Sequence, residues 1–159
     1  METQESFSDW LNKPYISPSL REKLSTANLL IVPIDNIDIY KGPVFPSGTE
    51  EFFLFLKENA TDGMIPEICI EEKDYVELVQ HWDLITIGSL VVTCLLAPLA
   101  VNFIHDYLKG KLGPRVTKTH VKFGLTIEKE GSTTHMNYEG PAEELRDTLL
   151  PAIQDMSKK

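Results

Sequence analysis

The stretch "LITIGSLVVTCLLAPLAVNFI", residues 84–104, runs 21 residues without a charged side chain. That is long enough to cross a bilayer, which takes about 20 residues as a helix. Its opening complicates a simple span. "DLITIG" begins like a buried strand, and Gly88-Ser89 is a natural break followed by a helix cap. The break predicts a strand over 84–87 and an apolar helix over 89–108. The uncharged part of that helix, residues 89–104, is then shorter than a span requires.

Such a helix has almost no polar face between Leu90 and Val101, so it needs cover on all sides. Lipid, a partner or another subunit, and the chain's own core are the three candidates. Leu90, Val91, Leu95, Leu96, Leu99, Val101, Asn102 and Phe103 are the expected membrane or partner contacts. Trp82 and Tyr107, at the two ends, suit aromatics at an interface. Asn102 is a lone amide in apolar surroundings, and with Thr93 and Ser89 it would mark a helix–helix contact face. Lys109, Lys111, Arg115, Lys118 and Lys122 follow the run, while Glu71, Glu72, Asp74, Glu77 and Asp83 precede it. That matches a positive-inside pattern with the C-terminal side cytoplasmic.

The flanking sequence reads as α+β. Ser17-Pro18 caps a short helix within residues 1–27, an N-terminal extension. "NLLIVPI" is a buried strand and "KGPVFPSG" a loop. Ser47 and Glu50 have capping-box spacing ahead of the helix "TEEFFLFLKENA", whose stripe is Phe52, Phe53 and Leu56. "PEICIEE" alternates as a half-buried strand, and "KDYVELVQHW" reads as a short helix or helical turn. "THVKFGLTIEKEG" alternates strictly and returns after Gly131 as a hairpin. "GPAEELRDTLLPAIQDM" is a last helix that Pro151 should kink or end. The expectation is a single domain over 28–159 with a sheet of about 4–5 strands, in the order β-α-β-β-α-β-β-α.

Charge and cysteines narrow the function. The net charge of −9 argues against a broad phosphate-binding face and so against nucleic acid. The charge is lopsided: residues 1–83 hold 16 acidic and 6 basic groups, residues 105–159 hold 8 and 9. The acidic half therefore reads as a solvated face or a dock for a basic partner. Cys69 and Cys94 show no metal-site spacing and suit buried thiols in a reducing compartment. The polar, acidic N-terminus lacks the pattern of a signal peptide, so a cytoplasmic location is expected, at the inner membrane face if the apolar helix meets lipid.

Catalytic motifs are weak. His81-Trp82-Asp83 and His105-Asp106 put imidazoles beside carboxylates, but adjacent helical side chains diverge, so neither is a dyad by itself. Cys94 has no basic neighbour in sequence to form a thiolate. "GPVFPSG" lacks the Lys-Ser/Thr of a phosphate loop, and the acidic cluster from Glu67 to Glu77 lacks EF-hand spacing. No enzyme, cofactor or metal is expected.

In this order "NLLIVPI", "EEFFLFLKENA", "EICIEE", "DLITIGSLVVTCLLAPLAVNF", "HVKFGLTIEKEGSTTHMNYEG" and "PAEELRDTLL" resemble the effector-associated constant component family of bacterial conflict systems. The resemblance covers residues 28–156 in architecture, and the "KGPVFPSG" loop and the N-terminal extension depart from it. It implies an adaptor or signalling platform beside effector and sensor proteins, often with a membrane segment, and carries no catalytic residues. The expected function is thus a non-enzymatic adaptor or scaffold of an antiphage-type system, working through protein partners or self-association. A membrane-disrupting effector and a soluble subunit of an enzyme complex are the alternatives.

Overall fold

The computed structural model describes residues 5–34, 42–60, 63–78 and 84–157. Two short helices open the chain, α1 (Phe7–Leu11) and α2 (Pro18–Leu24). Then come β1 (Leu29–Val32), β2 (Phe45–Pro46), α3 (Thr49–Asn59), β3 (Pro66–Ile68) and β4 (Glu77–Leu78). The apolar run follows as β5 (Leu84–Thr93) and α4 (Ala97–Leu112). The hairpin β6 (His120–Lys129) and β7 (Ser132–Pro141) leads to α5 (Leu145–Ser157).

The fold is α+β. Its main sheet has five strands in the order β3-β1-β5-β6-β7, and β2 pairs with β4 in a small parallel pair beside it. Two strand–helix–strand crossovers build the main sheet, β1–α3–β3 and β5–α4–β6, each joining parallel neighbours. They meet along the antiparallel β1–β5 seam. Counting only main-sheet strands and the helices from α3 onward, the order is the β-α-β-β-α-β-β-α expected from the sequence. The hairpin also follows its alternation. Its two loop residues, Glu130 and Gly131, both have positive φ (51° and 84°), as a tight turn of matching twist demands.

The apolar run folds differently from the expectation. The chain does not stop at Gly88-Ser89 but continues as strand to Thr93. A 3₁₀ turn follows over Cys94–Leu96, and the helix begins only at Ala97. Helix 89–108 is therefore replaced by α4 at 97–112. The physical reason is burial on both faces. Leu90 and Val92 point into the helical layer, Val91 into the opposite one, and all three are buried. A strand covered on both sides needs no alternation, so its sequence looks like that of a buried helix. Gly88 is a bulge rather than a break: its φ is 94° and the β5–β6 register shifts between Thr86 and Gly88. Pro98 sits in the first turn of α4, where no N–H is lost, so it causes no kink.

Helices α3, α4 and α5 cover one face of the sheet, with Phe52, Leu56, Ile104, Leu108, Leu145 and Ile153 among the buried side chains. The N-terminal segment is no appendage. Trp10, Ile16, Leu20 and Leu24 pack on Leu30, Val32, Cys69 and Val91, covering part of the other face. The remainder of that face, across β6 and β7, is polar. His135 Nδ1 lies 2.8 Å from Thr126 Oγ1, and its Nε2 lies 3.0 Å from Asn137 Oδ1. Gly124 makes room for this group, since a Cβ there would come within 3.2 Å of both the His135 ring and Ser89 Oγ.

Three further expectations change. Ser47 is not the cap of α3; Gly48 takes the N-cap position with φ 91° and no side-chain bond. Residues 73–78 form the end of a 3₁₀ turn and β4, because Glu77 and Leu78 pair with Phe45 and Pro46. Helix α5 continues through Pro151, which faces solvent, so water can serve the carbonyl that its missing N–H leaves open.

The bulge gives a test. In Gly88→Ala the new Cβ would meet Pro46 Cδ at 3.3 Å in a backbone conformation that alanine resists. The variant is expected to lose about 1–3 kcal/mol, seen as a lower urea midpoint with an unchanged slope. A wild-type midpoint would show that β5 does not depend on the left-handed residue.

Candidate interaction site

The expected contact residues separate into two groups. Leu90, Val91 and Val101 are at most 1 % exposed and Phe103 is 9 % exposed, so the chain's own core covers them. Leu95 is 93 % exposed, and Leu96, Leu99 and Asn102 are half-buried. Ser89 and Thr93 lie on β5, so they share no helix face with Asn102 on α4. Tyr107 is buried rather than placed at an interface. Its ring lies 5.1 Å from Phe52 and 5.4 Å from Phe55, and its hydroxyl accepts from Lys111 Nζ at 3.3 Å. Trp82, with His81 and Asp83, lies outside the described residues.

What remains of the contact set is an apolar knuckle at the strand-to-helix turn. Val92 behind it and Ala97 ahead of it are fully buried, so both ends of the turn are anchored in the core. The short turn leaves Leu95 no inward direction, while Cys94, Leu96 and Leu99 flank it half-covered. Among the described residues no helix is long and apolar enough to cross a membrane. Inserting α4 into lipid would take its eight buried side chains out of this core and leave the sheet face beneath them uncovered.

A second surface escaped the sequence reading. Along the free edge of β3 runs a groove of about 790 Å³. Helix α2, from one face of the sheet, and α3, from the other, form its walls. Leu20, Phe53, Leu54, Ile68, Ile70 and Tyr75 supply the apolar lining, with Lys23, Lys57, Glu50, Glu71 and Glu72 around them. A signal was present in "FFLFL". Five consecutive apolar residues exceed one helix stripe, and the surplus residue Leu54 is 51 % exposed.

Hydrogen bonds hold the walls. The Ser17 hydroxyl donates to the Glu71 carboxylate, tying the start of α2 to the turn after β3. Ser17 Oγ also accepts from the Leu20 N–H at 3.1 Å. Glu77 on β4 does for α3 what Ser47 does not. Its carboxylate accepts from the N–H groups of Gly48 (3.3 Å) and Glu50 (3.1 Å) and from Tyr75 Oη (2.5 Å). A negative charge there also suits the helix dipole. Lys111 Nζ reaches Glu51 at 3.0 Å and links α4 to α3.

Burial would raise the Glu77 carboxyl, but the hydrogen bonds from Tyr75, Glu50 and Gly48, with Lys111 nearby, outweigh it and hold it below the usual value. Tyr75 is pushed up by burial and by the same carboxylate.

Of the groups weighed for catalysis, His81 and Asp83 lie outside the described residues, and Cys94 is half-buried on the 3₁₀ turn before α4. Burial, and secondarily Glu67, push the Cys69 thiol up to about 12, far from a reactive thiolate. His105 is lowered by burial and by Arg146 and Lys109 against the opposing Asp106 and Asp147; its Nδ1 is buried without a hydrogen-bond partner. Asp106 beside it is exposed, so the two side chains diverge as neighbours on a helix should. Among the described residues no group of three or more His, Cys, Asp or Glu side chains could hold a metal ion.

The Glu77 clamp predicts a pH dependence. Its folded-state value is depressed, so its contribution is present above about 4.5, the ordinary carboxyl value, and is lost as pH falls below that. Glu77→Gln is expected to cost about 0.5–2 kcal/mol at pH 7, the range of a lost helix cap. Urea midpoints of variant and wild type should converge on acidification; a gap that stays constant to pH 3 would assign the loss to something other than the charge.

No family model matches the chain, and neither does any curated protein or solved structure.

Proposed function

We propose that the protein is a non-enzymatic adaptor of a bacterial multi-protein system of antiphage type, working in the cytoplasm. It engages a protein partner through the knuckle at Leu95. The observation that carries this reading is the 93 % exposure of Leu95 on a turn anchored in the core at both ends. Exposed leucines are common singly, but this one stands beside the half-buried Cys94, Leu96 and Leu99. Burying a leucine side chain is worth about 1.5–3 kcal/mol, which is enough for a knob of this kind to anchor a contact. The family resemblance in the order of elements supports the setting, a component beside effectors and sensors. The knuckle lies at the start of the most apolar helix, so the expected contact region is kept in part: Leu95, Leu96, Leu99 and Asn102 in place of the whole segment.

The test is co-purification from the native cell with wild-type and Leu95→Asp protein. The variant should keep the wild-type melting temperature and lose the partner that wild type retains. Equal recovery of that partner, or a turnover activity that survives removal of every co-purifying protein, would overturn the adaptor reading.

A further inference from the structure

We infer that the groove along the β3 edge is a second docking site, which takes a short amphipathic segment of another protein carrying Lys or Arg beside its apolar anchors. It stands independently of Leu95. Three observations converge on that occupant.

The first is shape. Walls from opposite faces of the sheet enclose about 790 Å³ over an apolar floor, and Leu54 stands in it 51 % exposed. The second is the mode of attachment. A sheet edge normally invites another strand, but β3 is three residues long and starts at Pro66, which has no N–H. Its Ile68 carbonyl is already taken by the Ile70 N–H at 2.9 Å. The edge therefore offers almost no ladder, and a partner must hold on by side chains seated against Phe53, Leu54 and Ile68.

The third is charge. Both basic side chains at the rim are engaged within the fold: Lys57 Nζ lies 5.1 Å from the centre of the Phe53 ring, and Lys23 is 3.6 Å from Glu67. Glu71 accepts the Ser17 hydroxyl. Among the described residues no cation pairs with Glu50, Glu71 or Glu72. The lining carries three carboxylates against two ammonium groups, so the groove is net negative next to exposed apolar surface. Basic residues beside apolar ones complement it, and acidic ones are repelled. A partner with that pattern would also be steered by the net charge of −9.

The experiment is selection of a random 16-residue peptide library displayed on phage against the full chain, with amide chemical-shift mapping of the winners. Winners should carry apolar residues at three- and four-residue spacing with Lys or Arg between them. They should shift Leu20, Phe53, Leu54 and Ile68, and they should weaken as salt is raised. Leu54→Lys and, separately, Glu72→Lys alter exposed positions, and each should weaken binding at least roughly tenfold with the circular dichroism spectrum unchanged. The same peptides should emerge from selection on Leu95→Asp protein, which separates this site from the adaptor knuckle. No enrichment, acidic or uncharged winners, winners indifferent to both groove variants, or self-association of the chain through Leu54 would each overturn the proposal.

Discussion

The structure depends on β5 being buried on both faces. It is third of five strands, with β1 antiparallel on one side and β6 parallel on the other. Its alternate residues supply both cores: Leu90 and Val92 face the layer of α3 and α4, while Val91 meets the layer built by α1 and α2. Removing water from both faces of one strand is the largest concentration of apolar burial available to a sheet this size. It also explains why the N-terminal helices are needed. Without Trp10, Leu20 and Leu24, the side chains of Leu30 and Val91 would meet water.

The same burial decided what the sequence could reveal. The hairpin was legible to its turn because β6 and β7 have one polar face, so Val121, Phe123, Leu125 and Ile127 alternate against polar residues and Gly124. The order of main-sheet elements was legible because turn-forming stretches such as "KGPVFPSG" and the Gly131 turn separate the elements around them. The strand-to-helix boundary within 84–104 was not. A doubly covered strand and a buried helix share one composition, and Gly88-Ser89 offered a break where the fold uses a bulge. The cap of α3 was misplaced because its donors are satisfied by Glu77, a residue 27 positions beyond Glu50 that no local motif can announce.

The interaction surfaces show the same division. Of the contact residues expected from apolarity, those that fall on β5 or on the inner side of α4 are used up inside the fold, and the turn between the two elements keeps Leu95 outside. Apolarity identified the region but not the residues, because exposure depends on which way a three-residue turn points. The β3 groove is a tertiary object. It needs α2 from one layer, α3 from the other and a strand edge between them, and these lie far apart in sequence. Only Leu54, one apolar residue too many for its helix, hinted at it.

Both surfaces are held by the elements that hold the core. Leu95 is fixed between a buried strand residue and a buried helix residue, so ordering its backbone on binding costs little entropy. The groove walls are fixed by Ser17 to Glu71 and by Glu77 to the first turn of α3. Preset surfaces of this kind spend less of their contact energy on reorganisation, so a modest area can still give a specific complex. The burial that hid β5 from its sequence pattern thus also anchors the Leu95 turn, while side-chain hydrogen bonds set the groove walls.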